Sequence, residues 1–196
     1  RAKGDYIAFQ DSDDVWLPEK LERQMGGFER DPECGLVYCM FEYQNMLHGE
    51  EKLRHPSKEI PYAMKTGFIY PTMFSQNLIG MPTVLIKKDV LQTVGFMNEK
   101  LECLEDFEWL LRVTSKYKVS MADDILVHTY FSHNSVSGHK LEEAKSLCYM
   151  IGCYYDDIIK YDRLEDMIWR VRACCKKIGE EKVGEEMIEA TLKYFN

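Results

Sequence analysis

Three carboxylates crowd into Asp11-Ser12-Asp13-Asp14, just after the apolar run Tyr6-Ile7-Ala8-Phe9 and a single Gln10. Negative charges this close repel one another and need either solvent or a cation. Hard divalent ions such as Mg2+ or Mn2+ take carboxylate oxygens and leave coordination positions open to substrate phosphates, so Asp11 and Asp13 are candidate metal ligands. Asp and Ser clusters also make ordinary solvated turns, and nothing local separates the two readings. A calcium loop of the EF-hand kind is excluded. Counting from Asp11, Glu22 falls at the twelfth position, but Trp16 occupies the sixth, where glycine is needed, and Pro18 interrupts. A second acidic pair, Glu105-Asp106, heads the run Phe107-Glu108-Trp109-Leu110-Leu111-Arg112. Phe107, Leu110, Leu111 and Thr114 share one helical face, which puts the pair at a helix N-terminus. Partial positive charge there favours an ionised Asp106. Acids at helix starts also serve as plain caps.

The elements that must position these groups follow from periodicity. Tyr6–Phe9 is short and apolar, as a buried strand is, and the crevice beyond the carboxyl ends of strands is where open α/β sheets bind ligands. Leu17, Leu21, Met25 and Phe28 recur at helical spacing, with Pro18 near the first turn and Gly26-Gly27 at the far end, predicting a short amphipathic helix. Gly35–Tyr43 reads as the next strand, and Gln44–Pro61 as an exposed loop. Residues 62–80 carry no clear period. Met81–Ile86 predicts a strand, and Lys87–Val94 a helix closed by Gly95 in the left-handed α conformation. Tyr117–Met121 and Ile125–Phe131 predict two strands. From Leu141 onward apolar stripes at helical spacing predict three helices: Leu141 to Ile158, Leu164 to Cys175, and Val183 to Tyr194.

Composition narrows the function classes. A length of 196 residues with 45% hydrophobic content supports one domain with an appendage, and a net charge of −8 with no basic block argues against nucleic-acid partners. Seven cysteines, Cys34, Cys39, Cys103, Cys148, Cys153, Cys174 and Cys175, include no Cys-x-x-Cys pair and lie mostly in apolar segments. They read as reduced residues of a cytosolic protein. No apolar run reaches the ~18 residues that span a bilayer, and Lys and Arg are matched by acids, so any membrane association would be peripheral. Arg1-Ala2-Lys3-Gly4 resembles the last turn of a helix with its glycine stop, so the chain is expected to lack an upstream segment.

The stretch from Gly4 to Glu22 closely resembles the metal-site segment of family 2 glycosyltransferases of the GT-A fold. That family carries Asp-x-Asp at a strand end, then Trp, Pro and a Lys-Leu-Glu helix; Gln10 departs from its usual apolar residue. Thr83 onward, through Lys87-Lys88-Asp89-Val90 and Gly95-Phe96-Met97-Asn98-Glu99, resembles the segment leading to the family's second acidic motif. Glu105-Asp106 is similar to its Glu-Asp pair ahead of an aromatic-Leu-Arg helix. Ser132–His139 resembles the His-x-x-Ser-x-Ser stretch closing many members' catalytic domains, which makes His133 and His139 candidates for contact with donor phosphates or metal; a surface histidine near a helix start is the plainer reading.

The resemblance implies an α/β fold, a partial GT-A domain with a Rossmann-like mixed sheet flanked by helices over residues 1–140, and a helical appendage over 141–196. It implies a transferase using Mg2+ or Mn2+, a nucleotide-sugar donor with a UDP-sugar first in line, and a saccharide or lipid-linked acceptor. Asp13 would hold the metal, and Asp11 the donor ribose side and in part the metal. Asp106 would be the general base of an inverting reaction, Glu105 would orient the acceptor, and Met81, Pro82 and Thr83 would line its site. The family's base-reading pocket would belong to the missing upstream part, and its bacterial-type members often extend surface polysaccharides from the cytoplasmic side. Two other classes compete. An Asp-x-Asp phosphohydrolase would use an aspartyl nucleophile, but it needs a Lys and a further acidic site on later strands, and the Trp16–Pro18 helix start does not suit it. A non-catalytic binding fragment would fold without activity.

Overall fold

The computed structural model describes residues 2–44, 53–130 and 139–195. Among them the chain forms two compact units, Arg1–Met73 with Asn77–Phe96 and Trp109–His133, and Phe74–Gln76 with Met97–Glu108 and Asn134–Asn196.

The first unit is built on a six-stranded mixed sheet of β1 (Tyr6–Ala8), β2 (Val15–Trp16), β3 (Leu36–Tyr43), β4 (Arg54–His55), β5 (Leu85–Lys87) and β6 (Val119–Thr129), in the order β1-β5-β3-β6-β2 with β4 also paired to β3. Among the described hydrogen-bonded strand pairs only β3–β6 is parallel, and these two strands form the spine. β3 is buried from Leu36 through Glu42, as its β-branched and aromatic content demands of a central strand. β1 differs from expectation: it lies at the end of the strand order, paired only with β5, and Tyr6 is exposed while Ile7 and Ala8 are half-buried. Ala2 to Gly4 form no helical turn.

Helix α1 (Lys20–Arg30) runs through Gly26-Gly27 rather than stopping there. Its buried residues are Lys20, Gln24, Gly27 and Phe28, while Leu21 is exposed and Met25 half-buried. The predicted apolar stripe is thus rotated, because Gln24 finds backbone carbonyls inside and Gly27 lets the helix approach Val37. The expected loop 44–61 includes β4, whose His55 and Arg54 pair with Phe41 and Glu42 of β3.

A 3-10 turn spans Tyr62–Met64, and helix α2 spans Tyr70–Ser75. The strand expected at Met81–Ile86 is split: Pro82 fixes a 3-10 turn over Met81–Thr83, and only Leu85–Lys87 joins the sheet. Helix α3 (Lys88–Val94) ends at Gly95 with φ 77° and ψ −173°, a positive-φ cap as expected, but with extended rather than left-handed α ψ. Helix α4 (Glu105–Lys116) has its first turn in the second unit and Trp109–Lys116 in the first. The two strands expected after it are one, β6, whose register against β3 shifts between Cys39 and Phe41, so Asp123 and Asp124 bulge outward and stay exposed.

In the second unit the tail folds as α5 (Lys140–Cys153), α6 (Tyr155–Lys160), α7 (Leu164–Lys177) and α8 (Glu181–Leu192). The first expected helix is broken at Tyr154, giving four helices among the described residues where the stripes predict three. Ala144, Leu147, Ile151, Met167, Val171 and Ile188 supply the core. Phe74–Gln76 joins this unit through Ser75 Oγ donating to Asp166 at 2.5 Å and Arg170 donating to the Phe74 carbonyl at 3.3 Å. All seven cysteines are free thiols; Cys34, Cys39, Cys103, Cys148 and Cys175 are buried, as their apolar settings predict.

Candidate functional site

The acidic turn is compact: the Asp14 N–H donates to the Asp11 carbonyl at 3.3 Å, and Gln10 Nε2 donates to the Asp14 carbonyl at 3.3 Å. Its location follows from strand direction. β1 runs parallel to β3, because both are antiparallel to β5, so the chain leaving Ala8 climbs toward the carboxyl end of β3. Val15–Trp16 then turns back along the end of β6, opposite His128 and Val127. A backbone hydrogen bond from Tyr130, just past β6, reaches Asp14, and burial, then the Asp14 charge, holds the Tyr43 phenol above its usual range at the end of β3. The carboxylates therefore sit beyond the carboxyl ends of β1, β3 and β6, the place where open α/β sheets hold ligands.

Partial desolvation, reinforced by repulsion from Asp11 and Asp13, raises Asp14 to about 6. Asp11 is raised as well, by desolvation and then by Asp13. A bound divalent cation would relieve both effects, and the donor set, hard oxygens on one turn, fits Mg2+ or Mn2+. Among the described residues no three His, Cys, Asp or Glu side chains converge as a metal cage. Mg2+ is commonly held by one or two carboxylates, with substrate phosphates and water completing its shell.

The structure brings Met81, Pro82 and Thr83 beside this turn's exit. Trp16 Nε1–H donates to the Pro82 carbonyl at 3.0 Å, and Thr83, fully buried, donates its hydroxyl to the Gly80 carbonyl at 2.6 Å. Glu105 and Asp106 belong to the second unit, at the start of α4 as expected, and both are half-buried. The Phe107 N–H donates to Asp106 Oδ1 at 2.7 Å. Leu104, whose carbonyl accepts the Glu108 N–H at 2.9 Å, has φ 59°, a strained conformation for a branched side chain next to an acidic pair. No sequence signal marks it. His139 precedes α5 and makes no side-chain cap; His133 lies outside the described residues.

Two features escaped the sequence reading. Lys20 and Gln24 turn inward, a pair at i, i+4 that the neighbouring leucines masked. Glu108 is 6% exposed and accepts a 2.6 Å hydrogen bond from the Tyr154 hydroxyl.

An acidic turn over the carboxyl ends of a curled mixed sheet with helices behind it defines a GT-A-like α/β domain. Residues 1–88 match the family described as "Glycosyl transferase family 2". Similar proteins carry the same designation. An "Uncharacterized glycosyltransferase" of Haemophilus influenzae is 29% identical over 57% of this chain and 36% of its own length. A second, of Methanocaldococcus jannaschii, is 29% identical over 64% of this chain and 42% of its own. The "Putative teichuronic acid biosynthesis glycosyltransferase TuaG" of Bacillus subtilis is 25% identical over 74% of this chain and 54% of its own. The chain thus spans about two fifths of the length of the first two relatives.

Proposed function

We propose that this chain carries the catalytic part of a metal-dependent glycosyltransferase. It would move a sugar from a nucleotide-sugar donor, a UDP-sugar first, to a saccharide or lipid-linked acceptor with inversion at the anomeric carbon. The observation that carries this reading is the placement of Asp11, Asp13 and Asp14 beyond the carboxyl ends of β1, β3 and β6 within the segment that matches the family.

Asp13 is the main ligand for Mg2+ or Mn2+, and Asp11 holds the ribose side of the donor and assists with the metal. The bound ion supplies charge neutralisation for the departing diphosphate. Asp106 takes the proton of the acceptor hydroxyl as its oxygen attacks, with Glu105 orienting that acceptor and Met81, Pro82 and Thr83 lining its site. The name of the Bacillus relative, a putative teichuronic acid biosynthesis glycosyltransferase, supports polysaccharide synthesis as the setting; the cytoplasmic side of the membrane, with peripheral attachment, is the location this reading proposes. Among the described residues no helix is long and apolar enough to cross a membrane.

Titration calorimetry with Mn2+ and UDP, paired with turnover of UDP-sugars, tests the assignment. Asp13→Asn should lose Mn2+-dependent UDP binding. Asp106→Asn should keep that binding while transfer falls by about 10²- to 10⁴-fold, the range of a removed general base. Wild-type binding in Asp13→Asn would overturn the metal role, and loss of both properties in Asp106→Asn would overturn the base role.

A further inference from the structure

A lysine is almost never fully buried without a carboxylate beside it, yet Lys20 is 1% exposed. Among the described residues its ammonium has two partners, neither acidic: Gln24 Oε1 at 2.8 Å and the Trp16 ring, whose centroid lies 4.0 Å away. Burial holds its amine well below the lysine range, at about 8. Gln24, fully buried, passes the link on by donating Nε2 to the Thr83 carbonyl at 2.6 Å and to the Val37 carbonyl at 2.9 Å. The Trp16 indole closes the circuit on the Pro82 carbonyl at 3.0 Å. The turn it grips has no slack on its other side, since a Cβ on Gly80 would lie 2.8 Å from the Phe41 ring.

Apolar residues of similar size would fill this space at less cost to stability than a buried cation. What they would not do is join two segments at fixed distances. We propose that Lys20 and Gln24 are positioning residues: their closed circuit with Trp16, Pro82 and Thr83 locks the exit of the acidic turn to the 3-10 turn at Met81–Thr83. The segment assigned to metal and diphosphate and the segment assigned to the acceptor are thereby held in one register. The functional consequence rests on the metal reading above; the circuit itself does not.

The test uses the 15N-labelled chain, following the three tryptophan indole N–H resonances and Mn2+ affinity from paramagnetic broadening. Gln24→Glu keeps a partner for Lys20 but removes both donors to Val37 and Thr83. Lys20→Met removes the cation. In both, the Trp16 indole proton should exchange with solvent about tenfold faster, the loss of one ordinary hydrogen bond's worth of protection. Mn2+ affinity should fall about 10- to 100-fold, as for other outer-shell partners of metal ligands. Lys20→Arg, which can still donate to Gln24, should restore most of both. The Trp109 indole, bonded to the Gly95 carbonyl at 3.0 Å, reports that the fold is intact and should not change. Should either variant fail to fold, Trp16→Phe, which keeps a ring over Lys20 but loses the bond to Pro82, should weaken Mn2+ binding in the same direction.

Folded variants with wild-type Trp16 exchange and wild-type Mn2+ affinity would overturn the proposal. If the wild-type chain binds no Mn2+, the metal reading falls instead, and Trp16 exchange alone decides whether the circuit holds.

Discussion

The first acidic motif is followed by the 11-residue α1 and the second opens the 12-residue α4, and the two helices bury opposite chemistries. α4 buries Phe107, Trp109, Leu110, Leu111 and Val113, all essentially inaccessible, together with two polar residues: Thr114, whose hydroxyl turns back to the Leu110 carbonyl at 2.8 Å, and, in the first turn, Glu108, which accepts from Tyr154. α1 buries Lys20, Gln24, Gly27 and Phe28 and leaves Leu21 45% exposed. An apolar inner face gains stability from every Å² it hides. A polar one yields little net stability but fixes direction, because hydrogen bonds act only along particular lines. α4 is therefore a stabilising element and α1 a registering one.

The sharpest way to break this contrast is to truncate a leucine in each helix. Leu110→Ala should destabilise the fold by about 2–5 kcal/mol, whereas Leu21→Ala should stay within roughly 1 kcal/mol, both read from urea unfolding. Equal losses would show that α1 stabilises as α4 does. The next effect concerns pH. Lys20 has a folded pKa of about 8 against 10.5 for the free side chain. Between those values the unfolded chain holds a proton that the folded chain has released, so stability rises with pH across that window. The contribution is at most ~3 kcal/mol. The difference between wild type and Lys20→Met in unfolding midpoints at pH 7.5, 9 and 10 isolates it, and a pH-independent difference would mean Lys20 is not effectively buried. The smallest effect lies in the first turn of α4, where Tyr154→Phe removes the bond to Glu108 and should cost about 1–2 kcal/mol in thermal unfolding.

Legibility in the sequence followed the same divide. α4 and β3 could be read directly, because apolar side chains at the right period are the burial signal itself. The start of α4 at Glu105 and the positive φ of Gly95 were legible for similar reasons, since each depends on local chemistry. The inner face of α1 was not: Lys20 and Gln24 are buried only because the Thr83 and Val37 carbonyls, distant in sequence, receive the Gln24 amide. Met81–Thr83 looked like a strand because its composition is apolar, while Pro82 and the Thr83 hydroxyl coil it locally. The bulge in β6 follows from matching an 11-residue strand to an 8-residue neighbour, which no single stretch reveals. At the site, the acidic turn was visible by residue type, and its place over three strand ends emerged only from the strand order.

That order has one more consequence. β1 and β2 stand at opposite ends of the hydrogen-bonded path, yet only residues 9–14 join them. The acidic turn is therefore the drawstring of the sheet as well as its chemical edge. Most surface loops absorb extra residues at ~0.6 kcal/mol per doubling of length, but slack here would let the two margins part and carry the carboxylates away from the strand ends beneath them. Chain length in this segment is under the same constraint as charge, so a lineage that altered one would be expected to disturb the other.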